Sequence, residues 1–285
     1  MIKITECPRD AMQGIKEQIP SELKVEYINQ LLKVGFDTID FGSFVSPKAI
    51  PQMQDTASVL DQLDLSAGNS KLLAIIANLR GAEDACAFEE ISYLGFPFSI
   101  SETFQQRNTN SSIEESLQRV EEIQRLCRKK KKELLVYISM AFGNPYGDKW
   151  NPDIAIQWGL RLTKMGIKNI ALADTIGCST PENINALFTA LLPEMKGVRL
   201  GAHLHSTQPS ALEKIEAAYK SGCTNFDVAI HGFGGCPMAK EELTGNMATE
   251  DLEKFAELNK IELGLNKTEL NKAYELSWKI FNKYH

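Results

Sequence analysis

The chain has 285 residues, 43% hydrophobic and 24% charged, the proportions of an ordinary globular protein. Its net charge of -6 leaves no broad positive field for nucleic acid or an anionic membrane. No apolar run approaches the roughly 20 residues of a membrane-spanning helix.

The predicted elements alternate. A strand at Ile2–Glu6 begins almost at Met1, which leaves no room for a signal peptide. Helix 21–34 follows, then strand Asp37–Phe41, helix 49–63, strand Leu72–Ala77, helix 80–90 and strand Pro97–Ser101. The second half continues with helix 111–130, strand Leu134–Met140, helix 152–165, strand Asn169–Asp174, helix 181–194, strand Val198–His205, helix 208–221, strand Asn225–Ile230 and helix 249–258. Ser21, Asn110 or Ser111, and Thr180 ahead of Pro181 read as helix N-caps. Gly35, Gly166 and Gly222 read as helix stops. The basic run Arg128 to Lys132 sits at a helix end, where cations suit the helix dipole. Residues 260–285 read as an appended helical segment, with Leu270, Tyr274, Leu276 and Ile280 at helical spacing.

Eight strand–helix repeats without a long polar linker predict one α/β domain over 1–285, a single (β/α)₈ TIM barrel with an additional C-terminal helix. The first loop reads Cys7-Pro8-Arg9-Asp10, with neither GxGxxG nor GxxxxGK, which disfavours a nucleotide-binding open sheet. The six cysteines (Cys7, Cys86, Cys127, Cys178, Cys223 and Cys236) form no CxxC pair, so a reduced cytoplasmic setting is expected.

Polar residues gather just after the strand ends, the face on which such barrels build active sites. His203-Leu204-His205 closes an apolar strand, and residues i and i+2 of a strand point the same way, so both imidazoles can share one ion. Asp10 after the first strand and Asn246 after the eighth meet on the same rim when the sheet closes. That mixed His₂/Asp/Asn set suits Mg²⁺ or Mn²⁺ better than a closed structural zinc site. Arg9 beside it offers positive charge to a forming enolate or carboxylate, or else pairs with Asp40 or Glu6.

In order along nearly the whole chain stand Pro8-Arg9-Asp10, Ser43-Phe44-Val45-Ser46-Pro47-Lys48, Pro51-Gln52-Met53, Asn78-Leu79, Ser112-Ile113-Glu114-Glu115-Ser116, Asp174-Thr175-Ile176-Gly177, His203-x-His205, Gly234-Gly235-Cys236-Pro237 and Gly245-Asn246-Met247-Ala248-Thr249-Glu250-Asp251. This series resembles the hydroxymethylglutaryl-CoA lyase family of the metallolyase superfamily. The resemblance implies a metal-dependent retro-Claisen cleavage of an acyl-CoA substrate, a 3-hydroxy-3-methylglutaryl-CoA-type thioester, to acetyl-CoA and acetoacetate. By motif it implies Asp10, His203, His205 and Asn246 as metal ligands, with His203 also in the catalytic set. It further implies Arg9 at the enolate oxygen, Cys236 as proton donor, Asp40 and Asp174 in the catalytic network, and a homodimer.

Departures from the family's pattern bear on the substrate. Asp40 replaces the usual glutamate, Ser206 an aspartate, and Ala11-Met12 a Gly-Leu pair. His231 stands where a small or apolar residue is typical, and the loop between Cys236 and Asn246 is one residue longer and more charged. A sister lyase for a longer C3 substituent is therefore an alternative, with Phe41, Phe44, Phe104 and Met140 expected near the pocket. A Claisen condensing enzyme of the isopropylmalate or homocitrate type is another, disfavoured by the lack of residues for a C-terminal regulatory region.

Overall fold

A computed structural model describes residues 1–207, 210–235 and 244–284 of the chain. The eight strands are β1 (Lys3–Glu6), β2 (Thr38–Ser43), β3 (Lys71–Ile75), β4 (Ile91–Ser99), β5 (Glu133–Ser139), β6 (Asn169–Ala173), β7 (Arg199–His203) and β8 (Asn225–Val228). They pair in parallel in sequence order and close into a barrel, β8 returning to β1 with Lys3 opposite Asn225 and Glu6 opposite Val228. The helices are α1 (Pro8–Gln13), α2 (Ser21–Leu32), α3 (Thr56–Leu60), α4 (Leu79–Ala85), α5 (Glu102–Thr109), α6 (Ile113–Lys130), α7 (Pro152–Lys164), α8 (Pro181–Leu191), α9 (Ala211–Lys220), α10 (Thr249–Leu258) and α11 (Lys267–Tyr284).

Strands buried on both faces explain the near-continuous apolar runs in the sequence. The outer faces meet the helices in one large core. A separate small cluster of Leu73, Tyr93, Tyr137 and Ala171, on adjoining strands, fills the ring. Gly95 belongs to that inner face: a Cβ there would come within 2.5 Å of Ile75 Cδ1.

Local chemistry sets the element ends. Ser112, rather than Asn110 or Ser111, caps α6 in a reciprocal capping box with Glu115, and Thr180 does the same for α8 with Asn183. Gly35, Gly166 and Gly222 all take positive φ where helices stop. Arg128, Lys129 and Lys130 occupy the last turn of α6. Ser21 is not a cap. It lies inside α2 and hydrogen-bonds Asp55 at 2.6 Å.

The predicted elements depart most from the structure at the start of β4, in helix 49–63 and in the stretch after β4. β4 starts at Ile91, six residues before Pro97, because Pro97 sits within the strand opposite Tyr137 rather than opening it. The expected helix 49–63 is split into a 3₁₀ turn (Pro51–Met53) and α3. Tertiary bonds override its helical pattern: Lys24 Nζ takes the Gln52 carbonyl and Asp55, and Thr56 Oγ1 takes the Met53 carbonyl. The polar stretch after β4 forms α5, capped by Ser101.

The tail packs as α11 against α2, with Gln30 Nε2 on the Glu269 carbonyl at 2.8 Å and Tyr27 edge-on to Phe281. Leu270, Leu276 and Ile280 are buried there as their spacing predicts. Among the described residues no helix is long and apolar enough to cross a membrane.

Gly81, in the first turn of α4, lies against the backbone of Phe44, whose oxygen would be 2.4 Å from a new Cβ. Gly→Ala in a helix ordinarily stabilises by about 1 kcal/mol. Here overpacking against a backbone atom, at about 1–3 kcal/mol, should reverse the sign. Urea unfolding of Gly81→Ala is expected to give a lower midpoint at unchanged m-value.

Candidate active site

β1 ends in a tight entry into α1, with Pro8 in the first helical turn where its missing N–H costs nothing. That turn buries Arg9 and Asp10 at the C-terminal mouth of the barrel. The Arg9 guanidinium meets Asp40 through Nε (3.0 Å to Oδ2) and Nη2, and meets Asp10 Oδ1 and Gln13 Oε1 through Nη1, both at 2.8 Å. The ion pair foreseen for Arg9 therefore goes to Asp40. The shorter aspartate arm reaches it without difficulty.

Asp10 is held on both oxygens. Oδ1 accepts from Arg9 and from Gln13 Nε2 (2.6 Å), and Oδ2 accepts from Asn246 Nδ2 (2.7 Å). Burial would raise its pKa, but Arg9 and the two imidazoles outweigh that and hold it at about 2. Burial also drives Asp40, which is pushed up to about 6 despite Arg9.

β7 ends at His203, and His205 continues as an isolated antiparallel bridge to Asn246. Both imidazoles point inward. His203 Nδ1 lies 3.1 Å from Asp227 Oδ2, and His205 Nδ1 lies 2.9 Å from the Thr244 carbonyl. A carbonyl and a carboxylate both accept, so each Nδ1 carries a proton and each Nε2 faces the site. The two Nε2 atoms are 3.2 Å apart. Two lone pairs at that separation repel unless a proton or a cation lies between them. Burial opposes charge on both rings. Asp227 nevertheless raises the pKa of His203, whereas burial and the His203 charge take His205 down to about 4.

Asp10, His203 and His205 present ligand atoms all within 4.8 Å of one another. Asn246 gives its amide protons to Asp10 and to the Phe233 carbonyl (2.9 Å), so Oδ1 is the atom it could offer a cation. One ionised carboxylate, two neutral imidazole nitrogens and an amide oxygen fit a divalent cation with positions left for small-molecule oxygens.

The other predicted residues lie further out. Asp174 is buried behind the site, bonded to Ser179 and to Lys214 Nζ at 3.0 Å. Cys236 falls outside the described residues. Three residues the sequence did not single out prove central. Asp227 orients His203, Gln13 bridges Arg9 and Asp10, and buried Lys214 joins Asp174 to the His205 carbonyl at 2.8 Å. Lys214, in a helix with an ordinary amphipathic pattern, gave no signal. The Ser206 hydroxyl bonds the Thr207 carbonyl and Ser210, and its backbone N–H donates to the Gly245 carbonyl at 3.0 Å.

A cavity of about 570 Å³ opens above the candidate ligand groups, lined by Arg9, Asp10, His203 and His205 at its floor. Arg107 and Arg119 stand among its other lining residues. Of the four side chains expected near the pocket only Phe104 lines it. Phe41 and Met140 belong to the outer core, and Phe44 packs on Phe88.

Glu6 closes β1 beneath this site, accepting from Ile230 N (2.8 Å) and Thr249 Oγ1 (2.7 Å). Burial pushes its carboxyl up to about 8, against those two bonds. An unfolded glutamate ionises near about 4.3. Between those values the unfolded chain releases a proton that the folded chain keeps, so Glu6 makes stability fall as pH rises from about 4.3 to 8. Glu6→Gln should flatten the decline of Tm across that range relative to wild type; parallel curves would contradict this.

The HMGL-like family model matches residues 2–276. The chain belongs to the HMGL-like family. It is 36% identical to the mitochondrial hydroxymethylglutaryl-CoA lyase of Rattus norvegicus, over 99% of this chain and 86% of that one. To the cytoplasmic 3-hydroxy-3-methylglutaryl-CoA lyase of Homo sapiens it is 35% identical, over 99% of this chain and 76% of that one. Among solved structures, an HMG-CoA lyase from Acinetobacter baumannii, in complex with coenzyme A and 3-methylmalate, superposes with a TM-score of 0.92 at 30% identity, covering 99% of this chain and 92% of that one. The HMG-CoA lyase of Brucella melitensis gives a TM-score of 0.90 at 28% identity, covering 98% of each chain.

Proposed function

We propose that this HMGL-like chain cleaves 3-hydroxy-3-methylglutaryl-CoA to acetyl-CoA and acetoacetate, with Mg²⁺ or Mn²⁺ held by Asp10, His203, His205 and Asn246. One observation carries the reading: a ready divalent-cation donor set sits beside a buried guanidinium at the floor of one cavity. The A. baumannii lyase, in complex with coenzyme A, supports an acyl-CoA substrate.

The bond between C2 and C3 of such a substrate breaks as the C3 hydroxyl loses its proton and becomes a ketone. The electron pair passes to the thioester as an enolate, which is then protonated at carbon to give acetyl-CoA. A bound divalent cation supplies acidity to the C3 hydroxyl and a hold on the substrate's oxygens. Arg9 has five N–H donors, four of them engaged by Asp40, Asp10 and Gln13. Its remaining Nη2 hydrogen is the donor we assign to the enolate oxygen. Because the guanidinium is already fixed, it need not reorganise as charge develops. Asp40 acts through Arg9. Asp174 acts through Lys214, which ties it to the His205 carbonyl. Asp227 keeps the His203 Nε2 lone pair turned to the site, where that one pair would either hold the cation or, released from it, take the proton lost by the C3 hydroxyl. Cys236 remains the proposed proton donor to the enolate carbon.

A homodimer in a reduced cytoplasmic setting completes the reading; the five described cysteines are all free thiols. The substrate is tested by the ratio of kcat/KM for hydroxymethylglutaryl-CoA to that for homologues with longer C3 substituents. A preference for the methyl compound is expected, and preference for a longer homologue would reassign the chain to a sister activity. Release of free CoA from acetyl-CoA and a 2-oxo acid, without lyase turnover, would indicate a condensing enzyme instead.

A further inference from the structure

We propose that the C-terminal helix α11 is a positioning element of the metal site, acting through a His231–Trp278 stack that fixes the loop orienting Asn246. This rests on Asn246 serving as a ligand.

β8 leaves the barrel through Ile230, and His231 then turns the chain with φ of 60°, a left-handed conformation uncommon outside glycine. Such a backbone persists only where its surroundings over-determine it. Those surroundings are specific. The His231 ring stacks on Trp278 of α11, with centroids 4.1 Å apart and planes 27° from parallel. Its Nδ1 pairs with Glu250 at 2.5 Å, and its backbone N–H donates to the same carboxylate at 3.0 Å. Two residues on, Phe233 stacks on Phe281 of α11 at 4.4 Å and meets Trp278 edge-on at 5.8 Å. The helix therefore grips both ends of the segment 231–233.

The gripped segment ends in the metal site. The Phe233 carbonyl accepts Asn246 Nδ2 at 2.9 Å, and the other proton of that amide goes to Asp10. Those two bonds decide which way the amide is turned, and hence where its oxygen lies. Gly234 packs directly beneath: a Cβ there would stand 2.6 Å from Asn246 Nδ2 and 2.7 Å from the Asp10 carbonyl, so the loop has no slack toward the ligands.

The test is Mn²⁺ titration, read by the EPR signal of free Mn²⁺, on the full-length wild type and on His231→Asn, Trp278→Leu and Trp278→Phe. Asparagine tolerates the left-handed backbone while removing the stacking ring. His231→Asn and Trp278→Leu should each weaken Mn²⁺ binding by about tenfold or more, as changes to groups that orient ligands typically do. Trp278→Phe, which keeps an aromatic face, should recover most of that loss. kcat at saturating acyl-CoA should follow the Mn²⁺ affinity when metal is limiting. Wild-type Mn²⁺ affinity in both His231→Asn and Trp278→Leu, whatever their Tm, would overturn the proposal. Should Trp278→Leu not fold, His231→Asn alone decides. A wild type that binds no Mn²⁺ would instead overturn the metal-site reading beneath it.

Discussion

Arg9→Gln is expected to lower kcat by about 10²–10³-fold or more, the loss typical of removing one preorganised donor to a developing oxyanion. The side chain also neutralises two buried carboxylates, so the substitution carries a structural cost. Breaking one side of a buried pair destabilises by roughly 3–5 kcal/mol, and Arg9 has Asp40 and Asp10 as partners. The two effects separate in Arg9→Gln/Asp40→Asn, where the stranded Asp40 charge is removed. Stability should recover in the double variant while the rate does not. A double variant with near-normal kcat would show that Arg9 holds the site together and does no chemistry.

Asp10→Asn should weaken Mn²⁺ binding by more than about 100-fold, beyond the upper end of what changes around a ligand cost. The carboxylate is ionised, with its pKa near 2, and it accepts from three donors: Arg9, Gln13 and Asn246. An amide offers one oxygen to the same three groups and turns an N–H₂ toward one of them. The loss is therefore of charge and of hydrogen-bond sense together. Chelation of wild type should abolish turnover, and Mg²⁺ or Mn²⁺ should restore it; the same addition should restore little to Asp10→Asn. Isothermal titration of the variant with Mn²⁺ reads this directly, and wild-type affinity would remove Asp10 from the ligand set.

Much of the fold was legible because a barrel repeats one local rule eight times. Apolar runs such as Leu134–Met140 and caps such as Thr180-Pro181 declare themselves within a few residues. The juxtaposition of His203 and His205 was legible for the same reason, since the two need only strand periodicity to share a face. Asp10 and Asn246 needed closure of the sheet, which the count of strands supplied. What stayed hidden depends on partners distant in the chain. Asp227 looks like any strand residue until β8 lies beside β7 and brings it to His203. Lys214 takes its meaning from Asp174, forty residues earlier. Phe41 was misjudged because alternate strand residues face opposite ways: Asp40 goes to Arg9, so Phe41 faces the helices. α5 was missed because its sequence is almost wholly polar, with Phe104 and Gln105 its only buried residues.

The central claim is that this metal site breaks a carbon–carbon bond. Metal-reconstituted wild-type protein incubated with hydroxymethylglutaryl-CoA, with acetyl-CoA and acetoacetate quantified together, addresses it most directly. Equal amounts of the two products, formed only with Mg²⁺ or Mn²⁺ present, are the predicted result. Tight metal binding with no release of either product would contradict it.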